Sequence, residues 1–217
     1  MKNTKTRDMV LMGIITALLV VFSITPIGTI PIGPLSISLN VIPVAIAAVA
    51  LGPVGGAIAG GIFGILSFLQ CFGIGIPSGM GAMLVGINPF LAFIQRFIPR
   101  LLDGLLIGFI FRAVSKRANP YFASALTGFC SALFNTAFFM GALVLLFGNT
   151  EYVQGLMEAK GTENFFIFIC LFVGVNAIVE MAASTIIVGG VGSALIHAKL
   201  ITVPKKQLGK AAPDSGT

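Results

Sequence analysis

Apolar residues fall into six runs, at about 8–25, 40–51, 54–70, 90–114, 119–147 and 164–198. A helix needs about 20 such residues to cross a bilayer, and all but the second and third approach or exceed that length. The stretch Pro26-Ile-Gly-Thr-Ile-Pro-Ile-Gly-Pro34 is too rich in helix breakers to be helical. Apolar positions alternate there through Ile30, Ile32, Leu35 and Ile37, which predicts an extended lid with one face buried. The pair Gly52-Pro53 separates the second and third runs. Residues 71–90 hold Gly73, Gly75, Gly79, Gly81 and Gly86 with no charge, and read as a second irregular segment tucked into protein. The connection 148–163, with Glu151, Glu158, Lys160 and Glu163, reads as an aqueous loop.

Composition turns these runs into membrane crossings. Hydrophobic residues are 57% of the 217-residue chain and charged residues 9%, with a net charge of +6. Typical soluble domains carry roughly 25% charged residues, and the mean hydropathy here is +1.05. Too little polar side chain is present to clothe a water-facing surface. A soluble enzyme, a nucleic-acid binder and a secreted disulfide scaffold are all excluded. Cys71, Cys130 and Cys170 have no metal or disulfide spacing and read as packing residues in the membrane.

Ten of the thirteen basic residues sit at three places: Lys2, Lys5 and Arg7; Arg112, Lys116 and Arg117; and Lys199, Lys205, Lys206 and Lys210. No aromatic residues interleave them as they would for stacking bases, so they report topology instead. The run 40–51 rises only about 18 Å, so it is either a short helix or one limb of a kinked one. Six crossings put all three basic clusters in the cytoplasm, whereas five would split them. The expectation is one integral membrane domain over 1–217. It is an all-α bundle of six transmembrane helices with cytoplasmic termini and a cytoplasmic tail at 199–217. Irregular extracellular loops cap an outward-facing pocket. Residues 8–25 are long for a signal peptide and lack a small-x-small cleavage site before Pro26, so they read as a retained helix.

Small residues four apart allow close helix approach in lipid. Gly56, Gly60 and Gly64, with Gly61 beside them, predict internal packing of the third run. Gly13 and Ala17 on the first run suit either internal packing or docking on a partner.

Polar residues inside the runs are costly and therefore informative. Glu180 and Asn176 share a face of the last helix, Asn135 lies midway along the fifth, and Asn88, Gln95, Arg96, Arg100 and Asp103 crowd the start of the fourth. Together they predict a pocket in the outer half of the bundle. Local alternatives stand beside that reading. Arg100 and Asp103 suit mutual neutralisation, and Arg96 suits either snorkelling or anion binding. The asparagines suit interhelical hydrogen bonding or ligand contact. Glu180 needs an arginine or a ligand. His197, in the final turn, reads as a surface residue. No catalytic set, phosphate-binding loop, cofactor motif or metal cluster is present, so an ATP-driven transporter would take its ATPase from another chain. The crossings are few for a two-repeat secondary transporter, which leaves a stand-alone gradient-driven carrier working through Glu180 as the alternative to a small binding subunit.

The basic N-terminus, the small-residue face of the first helix, the Pro/Gly loop over 26–38, the segment Ile37-Ser-Leu-Asn-Val-Ile-Pro-Val-Ala45 and the break Leu51-Gly-Pro-Val-Gly-Gly-Ala57 together carry a resemblance. Over residues 8–198 the chain resembles the substrate-binding S components of bacterial energy-coupling factor (ECF) vitamin transporters, most of all the pantothenate type. Gly13 stands where that family usually has the first alanine of Ala-x-x-x-Ala. The resemblance implies a six-helix subunit in the bacterial cell membrane that captures a vitamin outside. It would join a membrane coupling protein (T component) and two cytoplasmic ATPase subunits, with Gly13 and Ala17 on the coupling face. It implies no cofactor. Pantothenate would engage Arg96 or Arg100 through its carboxylate, and Asn88, Gln95, Asn135, Asn176 and Glu180 would supply polar contacts. Folate and riboflavin remain alternative vitamins.

Overall fold

The computed structural model describes residues 4–32, 35–198 and 200–201. Lys2 and the tail lysines 199, 205, 206 and 210 lie outside the described residues. Five long helices dominate: α1 (Thr4–Ile24), α2 (Val41–Leu69), α4 (Pro89–Val114), α5 (Pro120–Phe147) and α7 (Phe165–His197). Two short helices, α3 (Gly79–Ile87) and α6 (Glu151–Ala159), lie between them, and a hairpin of β1 (Thr29–Ile32) and β2 (Leu35–Ser38) follows α1. The spans 5–24, 41–72, 120–147 and 176–197 are long and apolar enough to cross a membrane. Helix α4 is 26 residues long but carries Arg96, Arg100, Asp103 and Arg112. The architecture is that of an all-α membrane protein.

The second and third apolar runs are the two limbs of α2, which meet at a sharp non-helical turn and fold back side by side, since a Cβ on Gly56 would lie 2.9 Å from the Ala48 Cβ. Gly52 takes φ 76°, ψ −165° inside α2, a conformation that glycine adopts at no steric cost. Pro53 follows and cannot donate the helical hydrogen bond.

Two segments that look irregular in sequence contain helices. Ser78 accepts the Gly81 amide at 3.2 Å and so starts α3 within the glycine-rich segment. Residues 72–75 are exposed instead of tucked in, whereas Met80 and Leu84 are buried. Thr150 likewise caps α6 by accepting from the Val153 amide. Val153 and Met157, one turn apart, bury against a cluster that includes Met140, Phe147 and Phe168. The supposed aqueous loop is therefore an amphipathic helix with Glu151 and Glu158 outward. Asn88, Asn119 and Asn164 cap α4, α5 and α7, each accepting backbone N–H groups that the first turn leaves unpaired.

Helices α2 and α4 pack antiparallel with their backbones nearly touching. A Cβ on Gly56 would strike the Gly104 backbone, one on Gly60 the Arg100 backbone, and one on Gly64 would sit 2.8 Å from the Phe97 Cα. The approach is reciprocal, since Gly104 meets Gly56 and Gly108 meets Pro53. Each step of four along α2 answers a step of three or four back along α4. A second small-residue seam joins α5 and α7, where Gly128 abuts Ser184 and Gly192 abuts Ser124. Ile15 and Leu19 attach α1 to the core. Cys71 is buried, but Cys170 faces outward instead of packing inside. His197 is at the surface as expected, 3.3 Å from the Tyr121 hydroxyl.

Because Gly104 has no room for even a methyl group, Gly104→Ala should destabilise the bundle by about 1–3 kcal/mol through overpacking. Gly86, with nothing within 4 Å of a Cβ, is the control. Thermal unfolding in detergent should show a clear drop for Gly104→Ala and none for Gly86→Ala.

Candidate functional site

A cavity opens where α2, α4, α5 and α7 meet the hairpin and the loop after α2. Its volume is about 80 Å³. At about 10–15 Å³ per water this is room for roughly six waters, the scale of a small metabolite.

The α2–α4 seam sets its floor. Close approach of the two backbones leaves Arg96 and Arg100, one turn apart on α4, beside Phe63 and Ser67 of α2. Both guanidinium groups are buried, each residue only 5% exposed. Arg96 donates through Nη2 to the Ser78 hydroxyl at 3.0 Å and through Nη1 to the Ser67 hydroxyl at 3.4 Å. Gly81 makes room for it, since a Cβ there would lie 2.9 Å from Arg96 Nη2. Arg100 donates through Nη1 to the Arg96 carbonyl at 2.8 Å. Its guanidinium lies 4.5 Å from the Phe63 ring centre and 4.8 Å from that of Phe139, which Arg96 also approaches at 4.9 Å. Each arginine keeps a buried Nε with no hydrogen-bond partner.

Neither cation has a carboxylate within 4.0 Å; among the described residues the ion pair found is Arg7–Asp8. Three local expectations are corrected by this geometry. Arg100 and Asp103 do not neutralise each other, because Asp103 turns to the Ser131 hydroxyl of α5 at 3.1 Å. Arg96 does not snorkel, because serine hydroxyls and Phe139 hold it inside. Glu180 pairs with neither arginine, and instead its Oε1 accepts the Ser38 amide of β2 at 2.7 Å.

The structure brings Arg96, Arg100, Asn135, Asn176 and Glu180 together on the cavity wall. Neither asparagine makes an interhelical side-chain hydrogen bond among the described residues, and the Asn135 side-chain Oδ1 is buried without a partner. Asn88 and Gln95 lie off the cavity. Asn88 is spent capping α4, and Gln95 is fully buried with its Nε2 on the Phe139 carbonyl at 3.4 Å. Gly13 and Ala17 sit far from the cavity on the exposed face of α1.

Sequence reasoning missed the hydroxyl and amide groups that complete the wall: Thr29, Ser38, Ser67, Gln70 and Ser78. Gln70 had a readable signal, as a lone amide ending a long apolar run. The hairpin also departs from expectation. Ile37 is buried as expected, yet its cross-strand partner Ile30 is 42% exposed. The polar pair Thr29 and Ser38 turns to the cavity instead. Asn40 makes this possible, being wholly buried and donating to the Thr29 hydroxyl while accepting from Ser23. Gln70 donates to the Ser23 carbonyl at 2.9 Å, tying the end of α1 to the loop that holds Ser78.

A family model described as "ECF transporter, substrate-specific component" matches residues 7–191. The chain belongs to that family. As a substrate-specific component it is a transporter subunit and not an enzyme. Among its relatives, "Pantothenate transporter PanT" of Leuconostoc mesenteroides subsp. mesenteroides is 29% identical over 204 residues, covering 90% of this chain and 95% of that protein. "Pantothenic acid transporter PanT" of Lactococcus lactis subsp. cremoris is 28% identical over 176 residues, covering 75% of this chain and 87% of the relative.

The Glu180–Ser38 bond is the hairpin's side-chain tie to α7 in this substrate-specific component. A hydrogen bond to a charged group contributes about 1.5–3 kcal/mol. Glu180→Ala should therefore speed amide exchange at Ser38 by about tenfold or more, read by hydrogen-exchange mass spectrometry on the 35–40 peptide.

Proposed function

We propose that this substrate-specific component captures pantothenate in the cavity for import across a bacterial cell membrane. One observation carries the reading: two buried guanidinium groups face the cavity with no carboxylate within 4.0 Å among the described residues. A small organic anion satisfies them, and the names of both relatives supply a candidate. Pantothenate has one carboxylate, one amide, two hydroxyls and a pair of methyl groups. In the proposed pose its carboxylate meets Arg96 and Arg100, charge-assisted and partly bidentate. Asn135, Asn176 and Glu180 take the amide and hydroxyl groups. Met80, Met140 and Val173 offer an apolar wall to the methyls. Asn88 and Gln95 act indirectly, by starting and seating the helix that carries both arginines.

Counting the two limbs of α2 separately gives six crossings, with both termini cytoplasmic and the cavity opening outward. ATP-driven import then needs a T component and two ATPase subunits. The outer face of α1, where Gly13, Ala17, Ile14 and Leu18 are exposed, is the proposed contact with the T component.

Calorimetry on the isolated chain tests the substrate. Pantothenate should bind, and its alcohol analogue, which lacks the carboxylate, should bind at least tenfold more weakly. Arg100→Gln should cost about ten- to a hundredfold in affinity while leaving the fold intact. Absence of pantothenate binding, or an unchanged affinity in Arg100→Gln, would overturn the assignment. Docking has its own check. Ala17→Leu should leave pantothenate affinity unchanged and prevent co-purification with the T component; assembly as in the wild type would remove α1 from the interface.

A further inference from the structure

A second concavity lies at the opposite end of α4, far from Arg96 and Arg100. It is a groove of about 410 Å³ between the start of α1, the kink of α2 and the last turn of α4. Arg7, Arg112 and Lys116 supply its charge, and Leu51, Phe111 and Ile201 are among its apolar lining. The one acid there, Asp8, is engaged by Arg7, whose Nε and Nη2 donate to it at 3.0 and 2.8 Å. Arg112 and Lys116 are exposed and have no side-chain partner among the described residues. The α2 kink builds this place. Gly52 turns the chain at φ 76°, which favours glycine, and a Cβ there would lie 2.5 Å from Arg112 Nη2 and push the guanidinium off the turn.

We propose that this groove binds the phosphate of an anionic phospholipid headgroup. Two observations select a lipid from among phosphate-bearing ligands. The groove lies at the ends of the long apolar helices, at the depth where headgroups sit, and anionic lipids are drawn to Lys and Arg clusters there. Its floor is apolar, with Val49, Leu51 and Phe111 beside the charged groups. A glycerophosphate seated on Arg112 and Lys116 has its glycerol against that floor and its acyl chains in the surrounding bilayer. Arg112 offers the planar fork that matches two phosphate oxygens, and Lys116 adds a point charge. The Gly52-Pro53 kink thus has a role separate from the cavity: it shapes a headgroup seat.

The test uses the full chain in bilayer discs made of equal parts phosphatidylglycerol and phosphatidylcholine, released into native mass spectrometry. The wild type should retain phosphatidylglycerol in excess of its share of the bilayer. The double variant Arg112→Gln/Lys116→Gln should lose that preference by on the order of tenfold, while Lys160→Gln, at the other end of the molecule, retains it. Lys116→Gln alone changes an exposed side chain and should show a partial loss, so the idea stays testable if the double variant fails to fold. Equal retention of the two lipids by the wild type would overturn the proposal, as would a double variant indistinguishable from it. Displacement of the lipid by millimolar inorganic phosphate would overturn it too, by making free phosphate the ligand. Pantothenate affinity measured on the same variants should not change, which separates this site from the cavity.

Discussion

Backbone-to-backbone contact between α2 and α4 is the constraint on which the rest of the molecule depends. In lipid there is little hydrophobic drive to bring helices together, so close packing and polar contacts must do it. Gly56, Gly60 and Gly64 let α2 approach the Gly104 and Arg100 backbones closely enough to lock the register of the two helices. That register decides which residues of α4 face inward at the cavity. A shift of one residue would turn Arg96 and Arg100 by about 100° around the helix axis. The cavity would lose both cations.

Burying two guanidinium groups is expensive, and the surroundings offset only part of the cost. Serine hydroxyls, a backbone carbonyl and the faces of Phe63 and Phe139 hold the groups in place. Aromatic faces attract cations without presenting a competing anion. A carboxylate in their position would satisfy the arginines internally and leave nothing for a ligand to gain. Asp103 is kept from that role by its hydrogen bond to Ser131 across the α4–α5 boundary. The unpaired Nε groups show where the stabilisation is left incomplete.

Much of the fold was legible because membrane residence forces a coarse code. Long apolar runs marked the helices, Gly52-Pro53 marked the kink, and the few charges inside marked the cavity wall. Arg96, Arg100, Asn135, Asn176 and Glu180 were readable because each is costly at membrane depth. Cheaper groups were not. Ser67 and Ser78 line the cavity, yet a serine in an apolar helix or a glycine-rich loop carries no such signal. Helices α3 and α6 were hidden for another reason: glycines and charges argued for loops, while single caps at Ser78 and Thr150 and a few buried contacts decided otherwise. The hairpin's facing was not local at all. It depends on Asn40 and on Glu180, which lies 142 residues away in the chain from Ser38.

That long separation has a consequence for how the protein comes into being. Chains are made from the N-terminus, so the hairpin leaves the ribosome long before α7 exists. Until Glu180 arrives, the Ser38 amide lacks its partner and the cavity lacks one wall. A chain stopped short of α7 lacks Val173, Asn176, Ala177 and Glu180, all of which line the cavity. The cavity therefore closes only at the last stage of synthesis, when α7 supplies its wall and the hairpin gains its partner.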